Sequence, residues 1–226
     1  MSYQTPDAVL LDMDGTLINS EMYWVKAETE LAARFGGIVT PEISLQLVGS
    51  SLDRTASILM DLGVRMSEAE IISELSHSVK RQVAVSLPWR PGAAELLTEL
   101  HTAGIPRALV TMSYSLNAQD FARKASAELG FRVFDVIVAG DDVTRGKPDP
   151  EPYRVAAARL GTDAGRCIAI EDSHPGVRSA LDAGARTIGV PLFHDLKGFA
   201  GLTVWDTLSG KRTDDVRTVF STGGVA

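Results

Sequence analysis

Cysteine is almost missing from this 226-residue chain: Cys167 stands alone, which excludes an internal disulfide. It opens the apolar run Cys167-Ile168-Ala169-Ile170, a place that assigns it to packing rather than to thiol chemistry. Positive charge is also short. Lysine and arginine number 22 against 29 aspartates and glutamates, a net charge of -7. The chain therefore lacks the basic field that a general nucleic-acid or membrane-surface binder needs, and an anionic ligand must be held by local charge. No apolar stretch approaches the length that spans a bilayer. Met1-Ser2-Tyr3-Gln4-Thr5-Pro6 carries neither the basic nor the apolar segment of an export signal, so the expected setting is the cytoplasm. Repeats and low-complexity blocks are absent as well. What remains, 45% of it hydrophobic, is enough for one substantial globular domain and a smaller one.

The most informative stretch is Val9-Leu10-Leu11-Asp12-Met13-Asp14-Gly15-Thr16-Leu17, where two carboxylates leave an apolar strand two residues apart. Like charges that close repel unless a cation, a shared proton or a phosphoryl group reconciles them, which points to divalent metal and acid/base work. On this run alone a strand-to-turn junction with solvated aspartates serves equally well, because Asp-Gly is itself a turn signal. Three later segments break the tie. Arg107-Ala108-Leu109-Val110-Thr111 ends an apolar run in a hydroxyl, Gly146-Lys147-Pro148-Asp149-Pro150 sets a lysine among turn-formers, and Ala169-Ile170-Glu171-Asp172-Ser173 ends in two more acids. Groups at strand ends of an open α/β sheet converge on one crevice.

Periodicity supplies the frame. A strand over 8–11 is followed by helical signals only: Ser20 as N-cap of a helix from Glu21 to about Phe35, Thr40-Pro41 opening another, apolar spacing from Asp53 to Leu62, and a Ser67/Glu70 capping box before Ile71 to Val85. Pro88-Trp89-Arg90-Pro91-Gly92 is a rigid turn. Beyond it, helices 93–103, 116–129, 152–160 and 177–183 alternate with strands 108–110, 136–139, 168–170 and 187–190, and a last short strand falls near Thr203-Val204. Such alternation implies right-handed crossovers and a doubly wound, Rossmann-like parallel sheet with an inserted all-α domain. The boundaries expected are a core of 1–18 and 89–226 and a helical cap of 19–88. Ser221 onward reads as a frayed tail.

The ordered set Asp-x-Asp-Gly-Thr, strand-end Thr111, Lys147 and the acidic pair resembles the haloacid dehalogenase superfamily, in its phosphatase and β-phosphoglucomutase-like branch with a helical cap. The likeness runs to about Val204, and the turn at 88–92 resembles that family's second cap hinge. It implies a Mg²⁺-dependent phosphatase that hydrolyses a small phosphorylated metabolite through an aspartyl-phosphate. Magnesium suits the donors, being a hard ion that takes oxygen ligands. Carried over from the motifs, Asp12 is nucleophile and metal ligand, Asp14 gives its backbone carbonyl to the metal and acts as acid and base, and Asp172 supplies a further carboxylate. Glu171 is a ligand or a partner of one. Thr111 and Ser113 bind the transferred phosphoryl, and Lys147 balances charge between it and Asp12. In the cap, Trp24, Ser51 and Leu52 are candidates for contacting the substrate.

Within the superfamily, Asp14 argues against a dehalogenase, whose leaving halide needs no proton. Lys26 is the only lysine near the first insertion helix, which gives a Schiff-base phosphonate hydrolase little support. A β-phosphoglucomutase-like sugar phosphomutase is the nearest alternative. Against it, Trp24 stands where those enzymes carry a histidine, and Val48 and Leu52 stand where basic residues are expected. A mutase needs such cations to hold a second phosphate. The non-enzymatic alternative is a receiver-like signalling protein, which also gathers acids, Thr or Ser and Lys around a phosphorylated aspartate. The order disagrees, because Asp12 ends the first strand and a long helical insertion precedes Thr111. Arg145 and Arg90 serve as a surface charge and a hinge brace, and His174 as an exposed loop residue. The oligomeric state is left open.

Overall fold

The structure, a computed structural model, describes residues 4–47, 50, 52–193 and 195–222. Its chain divides into two compact units, one running through Asn19 and resuming at Trp89, the other Ser20–Pro88.

The first unit is built on six strands: β1 (Ala8–Leu11), β2 (Arg107–Val110), β3 (Val136–Val138), β4 (Cys167–Glu171), β5 (Arg186–Gly189) and β6 (Leu202–Val204). They lie in the order β3-β2-β1-β4-β5-β6, and every pairing is parallel. The two strands beside β1 are buried along their whole length, like β1 itself, which is why these segments read as continuous apolar runs rather than alternating ones. One face of the sheet carries α7 (Glu151–Arg159) and α8 (His174–Asp182). There Ala8, Leu10, Ala108, Val110, Tyr153, Ala156, Cys167 and Ala169 form one buried cluster. Cys167 is indeed packing: burial pushes its thiol up to about 12.

Helix α5 (Ala93–Thr102) packs on α9 (Thr213–Thr222), which covers β4 and β5, and α6 (Ser115–Leu129) lies by β3. Helix α9 is an element that the periodicity does not indicate; it ends at Thr222, and the expected frayed tail from Ser221 lies outside the described residues beyond that point. Thr213, Val216, Val219 and Phe220 are buried on one face of it, and Arg186 lies over the Phe220 ring, 4.5 Å from its centroid.

The inserted unit is α1 (Glu21–Arg34), α2 (Pro41–Leu47), α3 (Leu52–Asp61) and α4 (Glu68–Val85). Ala27, Leu31, Ala56, Leu59, Ile71 and Leu75 make its core. The Ser67/Glu70 capping box opens α4, and Thr40 Oγ1 accepts the Ile43 N–H ahead of α2. Ser20 differs from expectation. Its own backbone is already helical, at φ -73 and ψ -12, and its side chain makes no cap bond to α1. On α1, Glu28 is buried, its Oε2 without a hydrogen-bond partner among the described residues. No helix is long and apolar enough to cross a membrane among the described residues.

Candidate active site

Register assembles the site. Leu11 stands opposite Leu109 on β2 and Ile170 on β4, so Asp12, one residue on, leaves the sheet beside Val110 and Glu171. Thr111 and Asp172 follow directly on those two. The three strand ends thus deliver Asp12, Thr111, Glu171 and Asp172 to one edge, and all four are buried. Oxygens of Asp12, Glu171 and Asp172 lie within 4.8 Å of one another, a spacing that suits a metal ion.

Lys147 reaches this cluster from the loop before α7. Its Nζ donates to Asp12 Oδ1 at 2.7 Å, to Glu171 Oε1 at 2.5 Å and to the Val110 carbonyl at 2.9 Å, which uses all three ammonium protons. Burial pulls that ammonium toward neutrality, but Asp12 and Glu171 more than reverse the effect and hold it above the usual lysine range. Burial raises the Asp12 carboxyl, helped by Glu171 and Asp172 and opposed by Lys147. Asp172 is raised to about 7, by burial first and Glu171 second, against the Thr16 hydroxyl that donates to its Oδ1 at 3.2 Å. Three acids with one ammonium between them leave an excess of negative charge. Asp12 Oδ2, buried and without a hydrogen-bond partner among the described residues, is the donor atom this arrangement leaves open.

The turn after β1 is shaped for close approach. Gly15 has φ +86, and a Cβ there would sit 2.1 Å from Asp172 Oδ2, so only glycine lets the two segments meet. The buried Arg90 guanidinium donates to the carbonyls of Gly15, Val190 (2.7 Å) and Pro191 (3.1 Å), tying this turn to the segment after β5. Asp14 is exposed, and its Oδ2 accepts the Ser113 hydroxyl at 3.0 Å. Thr111 Oγ1 accepts the Ser113 N–H at 3.1 Å. Thr111, Ser113 and Asp14 therefore form one connected edge beside Asp12.

Tyr153 is the residue that the motifs miss. It is fully buried on α7, its hydroxyl donates to Glu171 Oε1 at 2.8 Å, and its ring centroid lies 5.2 Å from Lys147 Nζ. In sequence it is one more apolar position on a helix face, a signal shared with every core residue.

The other candidates fall outside this cluster. Trp24 is half-buried and packs against the insertion's own core. Leu52 opens α3 and is exposed, while Ser51 and Val48 lie outside the described residues. Arg145 pairs with Asp149 and Glu151 on the surface. His174, first residue of α8 rather than a loop residue, has its Nε2 2.7 Å from the Asp195 carbonyl oxygen.

Residues 9–190 match the model of the haloacid dehalogenase-like hydrolases. The chain belongs to that family. It is 33% identical over 198 residues to the validoxylamine A 7'-phosphate phosphatase of Streptomyces hygroscopicus subsp. limoneus, covering 84% of this chain and 88% of that protein. It is 34% identical over 185 residues to the bifunctional riboflavin kinase/FMN phosphatase of Arabidopsis thaliana, covering 81% of this chain. The match spans about half of that relative, 48% of its length. Among solved structures, that of CbbY from Rhodobacter sphaeroides in complex with phosphate is similar, with a TM-score of 0.71, 29% identity, and coverage of 91% of this chain and 96% of that one.

Proposed function

We propose that this hydrolase is a Mg²⁺-dependent phosphatase that acts on a small phosphorylated metabolite in the cytoplasm through an aspartyl-phosphate on Asp12, with neither nucleic acid nor membrane as partner. The observation that carries the reading is Asp12 itself. It is a buried strand-end carboxylate with Oδ1 on a lysine, Oδ2 open, and two further acids within reach.

The donors fit a magnesium ion: hard oxygens, an excess of negative charge and one buried oxygen with no other partner among the described residues. Asp12, Asp172 and the backbone carbonyl of Asp14 would hold it. Bound there, it would neutralise phosphoryl oxygens that otherwise repel an incoming carboxylate. The side chains do the rest. Thr111 and Ser113 would receive the phosphoryl group while Lys147 keeps Asp12 oriented and ionised. Asp12 attacks phosphorus, the bond from phosphorus to the ester oxygen breaks, and Asp14 gives that oxygen a proton. Asp14, now ionised, takes a proton from the water that attacks the phosphorus of the aspartyl-phosphate. Inorganic phosphate leaves and Asp12 is restored.

Hydrolysis is favoured over phosphoryl return to a sugar because Trp24 and Leu52 bring no charge to the insertion. Trp24, Ser51 and Leu52 are assigned the choice of leaving group. The relatives are named for esters as unlike as FMN and validoxylamine A 7'-phosphate, so the test is a broad panel of phosphorylated metabolites with and without Mg²⁺. Phosphate release is expected from at least one ester, lost with chelator and lost in a folded Asp12→Asn protein. Undiminished release by that variant rules out the covalent step.

A further inference from the structure

We propose that Tyr153 is a positioning residue of this site: its hydroxyl and ring hold Glu171 as the buried counter-anion of Lys147, outside the metal's ligand set, and so fix where the ammonium meets Asp12. The inference rests on the phosphatase reading above and deepens it.

Glu171 is crowded with donors. A carboxylate offers about four lone-pair directions. Oε1 accepts from Lys147 Nζ at 2.5 Å and the Tyr153 hydroxyl at 2.8 Å. Oε2 accepts from the backbone N–H groups of Asp172 (3.1 Å) and Ser173 (3.4 Å) and from the Ser173 hydroxyl at 3.2 Å. Five donors thus saturate a side chain with no exposed surface, and a cation could take either oxygen only by displacing one. Space agrees with chemistry. A Cβ at Gly176 would fall 1.9 Å from the Glu171 carboxylate, so α8 is packed against the group and it cannot swing away on that side. Asp12 Oδ2, by contrast, is buried with no donor on it among the described residues. The metal's place is therefore with Asp12 and Asp172, and Glu171 faces the lysine.

Tyr153 fixes this division of labour from the other side. Its ring, 5.2 Å from Nζ, gives the ammonium an apolar wall with a favourable π face, and its hydroxyl holds Oε1 where Nζ can reach it. Without that hydroxyl, Oε1 keeps Lys147 as its one donor. Oε2 stays held by its three donors, but Oε1 loses the contact that sets its position, and the ammonium shifts with it relative to Asp12 Oδ1.

The test is a double-mutant cycle with magnesium binding measured by calorimetry on each purified variant. Tyr153→Phe, which keeps the ring, is expected to bind Mg²⁺ within about twofold of wild type at unchanged stoichiometry while turning over about tenfold more slowly, the scale of one charged hydrogen bond. Adding it to Glu171→Gln should cost less than about twofold more, because the hydroxyl acts through that carboxylate. Glu171→Gln should weaken Mg²⁺ at least tenfold less than Asp172→Asn. Wild-type turnover per bound metal in Tyr153→Phe overturns the proposal, and so does a full second loss in the double variant. Equal losses of metal affinity in Glu171→Gln and Asp172→Asn overturn it too. If the wild-type protein released phosphate from no ester, the phosphatase reading would fall, and the binding comparison would still decide whether Glu171 is a ligand.

Discussion

Asp12 and Asp14 sit two residues apart, yet the fold gives them opposite surroundings: one is buried against Lys147, the other exposed with a serine hydroxyl on it. In the proposed mechanism, that difference would let a single motif supply both a nucleophile and a proton carrier. Asp14→Asn keeps its backbone carbonyl and so should still bind Mg²⁺, but it should lose about 10²- to 10⁴-fold in turnover of esters with poor leaving groups. A phosphate-release assay comparing an alkyl ester with an activated aryl ester checks this, since the aryl ester needs little proton donation and should lose less. The principal residues of the site were legible in the sequence because their chemistry is unusual at a strand end: paired acids, a terminal hydroxyl and a lysine among prolines. Tyr153 was not legible. Its role depends on a hydroxyl meeting a carboxylate 18 positions later, and nothing local distinguishes it from a core aromatic. The same limit applies to Glu171, whose five donors come from β4's own end, a loop and a helix.

At the scale of elements, the parallel strands and long helices were readable from period and caps, and the failures fall where the signal is short. Helix α9 has apolar residues at 216, 219 and 220, the spacing of a helix face, but over too few turns to stand out from the polar residues around them. Ser20 has the right chemistry for an N-cap and the wrong backbone, because its own φ and ψ are already helical where a capping residue is extended. Helix α1 carries a liability the pattern does not show. Burial, with Glu21 adding repulsion, raises the Glu28 carboxyl from 4.5 to about 7. The folded state then binds this proton more tightly than the unfolded one. Stability from this group is complete below about pH 4.5 and is lost as pH rises through 7, by up to about 3 kcal/mol. Denaturant melts of the wild type and Glu28→Gln at pH 5 and pH 8 measure it. The variant should be the more stable at pH 8 and should lose most of the pH slope; equal slopes would remove Glu28 as its source.

For the whole molecule, the division into a discontinuous sheet unit and a continuous helical one would make the proposed metal binding a local event. The acids that would take Mg²⁺ lie at the ends of β1 and β4, and helices α1 to α4 bring none of them. Saturating Mg²⁺ should therefore raise hydrogen-exchange protection in β1, β2 and β4, by about 2.7 kcal/mol at a hundred times the dissociation constant, and leave the core of 20–88 nearly unchanged. An equal rise in both would contradict that assignment. The placement of β1 has a further consequence, for the order in which the protein is made. It is made before the other strands, yet its two hydrogen-bonding partners are β2 and β4. Synthesis must run from Leu11 to Cys167 before the second edge of that strand can be closed. In the interval the helical insertion has the residues of its own core cluster already made, while Val9, Leu10 and Leu11 wait with an unpaired edge. The nascent chain thus carries an open edge on β1 until β4 emerges, and a slow step in translation before Cys167 would lengthen the hazard.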